Sequence, residues 1–115
     1  MNERRRWKRR HLLYYLKVFE DQGKEPLGFL VDVTGQGIML MSENALETSR
    51  PYSLYISIET ELLPARDIYF SAKALWSRQD SQNQFFDTGF EITKASPDDM
   101  QALEYAIDRL AFRDD

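Results

Sequence analysis

The chain has no cysteine and a single histidine, His11. The first absence excludes a disulfide framework, a thiolate metal site and a thiol nucleophile; the second excludes a His-rich metal centre and leaves little for histidine acid–base chemistry. No uninterrupted apolar run approaches the roughly 20 residues of a membrane-spanning helix. The basic N-terminus is not followed by the apolar core of a signal peptide either, because Lys17, Glu20 and Asp21 interrupt it. A cytoplasmic location is the expectation. Internal repeats, low-complexity segments and domain linkers are also missing, so 115 residues read as one domain, 1–115, large enough for a real core. The acids at 98, 99, 114 and 115 sit at a helix start and in a tail, and Asp32 has no recognisable acid–base partner. An enzyme is not expected, nor is a metal or a cofactor.

What is present is a sharp asymmetry of charge. The chain holds 15 Lys and Arg against 19 Asp and Glu, a net −4. Six of those cations and one of those acids lie in residues 1–10, which carry +5, while the other residues carry −9. Arg4–Arg10 reads Arg-Arg-Arg-Trp-Lys-Arg-Arg. Such a run often serves as a solvated tail or a nonspecific polyanion binder. Its preference for arginine over lysine favours two-pronged recognition of phosphate or of a guanine edge. An arm for a polyanion, attached to an acidic body, is the reading that the asymmetry supports.

Beyond the arm, taken as residues 1–11, the pattern is that of strands. Residues 12–20 are rich in aromatic and β-branched types, with Leu12, Tyr14, Leu16 and Val18 on one face. A polar turn with Gly23 and Pro26 follows, then strands over 27–33 and 37–42 separated only by Thr34-Gly35-Gln36, a tight hairpin. Residues 43–52 form a connection. Tyr52–Ile58 alternates Leu54, Ile56 and Ile58 against Ser53, Tyr55 and Ser57, the period of a half-buried strand. After a loop at 61–66, strands are expected at 67–78 and 85–92, the second interrupted by Gly89, a mark of a bulge or of close backbone approach. Ser96-Pro97-Asp98-Asp99 then supplies a helix N-cap, a proline at the first helical position and acids at the positive end. Met100, Leu103, Ile107 and Leu110 recur at spacings of three and four, predicting an amphipathic helix over 96–112. The expected fold is mainly β: a six-stranded antiparallel barrel over 12–95 with a C-terminal α-helix.

The second candidate site is Asp32-Val33-Thr34-Gly35-Gln36-Gly37. Glycine and Asp/Thr are ordinary turn formers, and a hairpin alone accounts for them. The same residues also present acceptors to a ligand's N–H groups and backbone amides to an anion. Together with the arm, this segment resembles the PilZ domain family, bacterial receptors for cyclic di-GMP. That family carries Arg-x-x-x-Arg near the N-terminus, then (Asp/Asn)-x-Ser-x-x-Gly some twenty to thirty residues later. Here Arg5 and Arg9 fit the first motif with Trp7 between them, although Arg6 and Arg10 have the same spacing; Asp32, Thr34 and Gly37 fit the second, with Thr34 in place of serine.

The resemblance covers nearly the whole chain and implies a PilZ-type barrel and a ligand site of Arg4, Arg5, Arg9, Asp32, Thr34 and Gly37. Arg6, Arg10 and Trp76 are further candidates. Trp76 is otherwise a core or barrel-surface residue, and the methionines at 39 and 41 read as packing. In the family an arginine just before the first motif, here Arg4, accompanies binding of a stacked pair of nucleotides, so two cyclic di-GMP molecules per chain are expected. The signal would pass to a protein effector. Two other readings remain at this level. One is a PilZ-like adaptor that works through protein contacts without nucleotide. The other is a small barrel binding single-stranded nucleic acid, which the acidic remainder of the chain disfavours.

Overall fold

The structure is a computed structural model that describes residues 10–34, 37–61 and 63–113; of residues 10–14, 34 and 111–113 it describes the backbone alone. The elements run β1 (Arg10–Glu20), β2 (Gly28–Thr34), β3 (Gly37–Ser42), β4 (Pro51–Ile58), β5 (Arg66–Gln79), β6 (Phe86–Lys94), α1 (Pro97–Leu110) and β7 (Ala111–Arg113). All pairings are antiparallel. The spatial order is β2-β3-β6-β5-β4-β1-β7, and an additional pairing of β2 with β1 closes the first six strands into a barrel.

Alternation in the sequence sets which face turns inward. In β4, Tyr52, Leu54, Ile56 and Ile58 are buried, while Ser53, Tyr55 and Ser57 lie on the outer face. In β5, Ile68, Phe70, Ala72 and Ala74 do the same. Leu16, Val18, Leu30, Leu40 and Phe90 complete the centre of the core. Tyr52 enters this core edge-on to Phe90, ring centroids 5.4 Å apart. Its hydroxyl donates to the Glu47 carbonyl at 2.6 Å, so its one polar atom is satisfied as burial requires.

The helix begins as its cap residues dictate. Ser96 Oγ accepts a hydrogen bond from the Asp99 N–H at 3.0 Å and donates to Asp99 Oδ2 at 2.9 Å. Pro97 opens the helix, Asp98 and Asp99 occupy its first turn and Arg109 its last, each sign suiting the helix dipole. The buried face is Leu103, Ala106, Ile107 and Leu110, packed into the barrel core. No helix among the described residues is long and apolar enough to cross a membrane.

Most boundaries shift by a residue or two from the sequence expectation, and two of these differences share one contact. The helix stops at Leu110 rather than 112, and Ala111–Arg113 form a short seventh strand. That strand pairs Arg113, Phe112 and Ala111 with Arg10, His11 and Leu12. β1 accordingly starts at Arg10, so Arg10 and His11, assigned to the arm from the sequence, belong to the barrel edge. A three-residue strand has no periodicity of its own, and only its distant partner makes it one.

Candidate ligand-binding site

The Asp32 turn is positioned from both sides. In β2, Asp32 pairs with His11 of β1 and with Met39 of β3. The β1–β2 register shifts between His11 and Leu16, and the β2–β3 register shifts between Leu30 and Asp32. These irregularities bend the sheet where the motif begins. Thr34 pairs with Gly37, closing the hairpin. Asp32 is only 7% exposed, and its Oδ1 accepts from the Val33 N–H at 3.1 Å.

The register continues across the barrel. Met39 pairs with Gly89 of β6, and Gly89 with Trp76 of β5. One row of paired positions thus runs His11, Asp32, Met39, Gly89, Trp76. A register shift between Ala74 and Trp76 places both Leu75 and Trp76 on the outside, with Trp76 38% exposed. It also turns Ser77 inward, where its hydroxyl pairs with that of the fully buried Thr88 at 2.8 Å. Gly89 is needed here in the plain steric sense. A Cβ at that position would lie 2.5 Å from the Trp76 indole, well inside contact distance. The indole lies across the bare backbone of β6, as the interior glycine led us to expect of that strand.

The result is a depression of about 210 Å³ with Asp32, Val33 and Gly37 at one side, Met39 and Gly89 along it, and Leu75 and Trp76 at the other. Arg78 lies above the Trp76 ring, its guanidinium carbon 4.7 Å from the ring centroid. Arg78 also pairs in register with Asp87. Burial first, then the neighbouring charge of Asp80, pushes the Asp87 carboxyl above the ordinary carboxylate range, with Arg78 opposing the shift. The depression therefore joins one carboxylate, an apolar bed and an indole, with the Arg78 guanidinium set against that indole. A larger hollow of about 690 Å³ lies between α1 and the segment from Ile58 to Arg66, but it shares no residue with this row.

Of the sequence candidates, Asp32, Gly37 and Trp76 come together in the depression. For Thr34 and Arg10 the backbone alone is described: Thr34 closes the hairpin, and Arg10 pairs with Val33, one position from Asp32. Arg4, Arg5, Arg6 and Arg9 lie outside the described residues. Sequence reasoning missed Leu75 and Arg78 and treated Met39 as packing. Arg78 carried a legible signal, since residues two apart on a strand share a face and Trp76–Arg78 is such a pair. Leu75 carried one too, since it continues the outward set Tyr69, Ser71 and Lys73; it is Trp76 that only the bulge turns outward.

The PilZ domain profile matches residues 3–109. The chain belongs to the PilZ domain family. A search among curated proteins finds no match. Among solved structures, the Bacillus subtilis inhibitor of motility MotI/DgrA is similar, with a TM-score of 0.70 and 21% identity over 94% of this chain. The chain spans about half of that protein, 52% of its length. The PilZ family is one of cyclic di-GMP receptors and of proteins that act by binding, and the six-stranded barrel with a C-terminal helix is the fold shared here.

Proposed function

We propose that this PilZ domain is a receptor for cyclic di-GMP, held between the arginine arm and the row from Asp32 to Trp76. The observation that carries the reading is the pairing of the start of β1 with the Asp32 motif. Arg10 and His11 are hydrogen-bonded neighbours of Val33 and Asp32, so the segment that bears Arg4, Arg5 and Arg9 joins the barrel directly beside the depression.

Each group has a task suited to its chemistry. Asp32 accepts from the guanine N1–H and exocyclic amine, donors that adenine does not offer in that arrangement. Trp76 gives a partly exposed indole on which a base stacks in place of the Arg78 guanidinium that lies over it, with Met39 and Leu75 as apolar neighbours. Thr34 contributes a hydroxyl, and Gly37 allows close approach of the backbone. Arg5 and Arg9, or Arg6 and Arg10 in the alternative register, grip phosphate oxygens or the O6/N7 edge of guanine bidentately, with Arg4 as a further cation. The depression alone is small for a molecule with two bases and two phosphates, so the arm must close over what remains outside. Closure of a charged arm turns occupancy into an ordering event that a protein effector can read. Binding and relay, without catalysis, account for all of these residues.

Calorimetric titration with cyclic di-GMP, with GMP and a short oligonucleotide as controls, tests the reading. Saturable binding of cyclic di-GMP, with much weaker binding of both controls, is expected. No heat with cyclic di-GMP would leave the adaptor reading, and preference for the oligonucleotide would leave the single-strand reading.

A further inference from the structure

On the outer face of the barrel, away from the row just described, three aromatic side chains lie side by side on adjacent strands. Phe19 of β1 pairs in register with Tyr55 of β4, and Tyr55 with Tyr69 of β5. The first two rings stack with centroids 5.1 Å apart and planes 12° from parallel; the second pair is 5.2 Å apart. Cross-strand aromatic pairs stabilise a sheet by themselves, so the row alone implies no partner. The charges around it carry more information.

One register step to one side stand Lys17, Ser57 and Asp67. One step to the other side stand Asp21, whose N–H donates to the Ser53 carbonyl, then Ser53 and Ser71, and beside Ser71 its partner Lys94. The two flanks are opposite in sign at both ends: cation against anion at the β1 end, and the anion of β5 against a cation on neighbouring β6 at the other. A two-fold axis along the aromatic row turns one flank onto the other. Lys17 of one copy then faces Asp21 of the second, Ser57 faces Ser53, and Asp67 faces Ser71 with Lys94 one strand, about 4.8 Å, beyond it, each twice. The remaining acid on that flank, Asp99, is already engaged by Arg66 at 3.5 Å.

From this layout we infer that the Phe19–Tyr55–Tyr69 face is a self-complementary surface whose occupant is a second copy of this chain. The interface is isologous, with the aromatic row on the axis and the charged flanks exchanged across it. A face three strands wide on a convex barrel is a small contact, so the association is weak and concentration-dependent. Paired exposed charges set its register more than its strength, and salt weakens it.

Sedimentation of the full chain without nucleotide tests this. The weight-average mass should climb toward twice that of the chain as concentration rises, and added salt should lower it. Tyr69 is 50% exposed and Lys17 also lies on the surface, so Tyr69→Ser and Lys17→Asp should leave the circular dichroism spectrum intact while weakening association at least about tenfold. The register has a sharper test. Lys17→Asp alone and Asp21→Lys alone should each stay monomeric, yet an equal mixture of the two should associate, because every facing pair is then again of opposite sign. A wild-type chain monomeric at all concentrations would overturn the inference. So would a dimer indifferent to Tyr69→Ser and Lys17→Asp, or a mixture of folded variants that fails to associate. Association lost on replacing Arg4, Arg5 and Arg6 by serine would assign the face to the arginine arm instead.

Discussion

A methyl group at position 89 would meet the Trp76 indole at 2.5 Å, so that ring and that glycine are one device. Gly89→Ala should push the partly exposed ring aside, shifting Trp76 fluorescence and weakening cyclic di-GMP as much as Trp76→Ala does, by about 1–3 kcal/mol if a base stacks there. Unaltered affinity in both variants would remove Trp76 from the site. Asp32 can be separated into its two roles. If it reads guanine, it would contribute about 1.5–3 kcal/mol, so Asp32→Ala should weaken binding roughly 10- to 150-fold and narrow the margin over cyclic di-AMP. As a turn former alone, through its bond to the Val33 N–H, it would change the melting temperature and leave that margin untouched. Asp87 offers a test by pH. Burial and Asp80 raise its pKa, so the folded state disfavours its ionised form. The penalty is absent below the ordinary carboxylate range, where the group is protonated in both states, and fully present above its raised value. Asp87→Asn should therefore raise the melting temperature near pH 7 and lose that gain near pH 3. An equal gain at both pH values would mean that charge is not the cause.

Among the elements, those with a period of their own were legible and those defined by a distant partner were not. Tyr52–Ile58 alternates cleanly and is buried as it alternates. Leu103, Ile107 and Leu110 follow helical spacing and are buried, with Ala106 beside them. The bulge between Ala74 and Trp76 left only Gly89 as a trace in the sequence, and the strand Ala111–Arg113 left none. The same limit applies to the candidate site: the two motifs announce themselves by residue type, whereas the pairing of Arg10 and His11 with Val33 and Asp32, beside the second motif, left no trace in the sequence. This pairing yields a prediction for the arm. Arg5→Ala and Arg9→Ala lie before the first barrel strand, so each should weaken cyclic di-GMP binding roughly 10- to 150-fold while barely moving the unfolding midpoint measured without ligand. If only Arg6→Ala and Arg10→Ala have that effect, the register moves by one. If none of the four does, the arm does not hold the nucleotide.

At the scale of the whole molecule, the charge asymmetry and the fold answer each other. An acidic barrel repels a free polyanion over most of its surface, and +5 in the first ten residues concentrates attraction at one place. The start of β1, Arg10 and His11, pairs beside the apolar, aromatic depression, and on the proposed reading phosphate and guanine would find directional partners there rather than diffuse charge. How many nucleotides such a site gathers depends on how much anionic charge the arm can offset. Each cyclic di-GMP brings two phosphodiesters, and a stacked pair brings four, which repel one another unless cations lie between them. On the proposed reading Arg5 and Arg9 would serve one nucleotide, and Arg4, immediately before Arg5, would add a third guanidinium to bridge phosphates or bond the second molecule's guanine. Isothermal titration should give two nucleotides per chain, and Arg4→Leu should move the ratio toward one with the fold unchanged. The ratio is counted per chain, so it does not depend on whether two chains associate. If Arg6 and Arg10 form the motif pair, Arg5 takes the part of Arg4 and Arg5→Leu becomes the variant that changes the count. A wild-type ratio of one would set aside the stacked pair and leave a receptor that holds a single nucleotide.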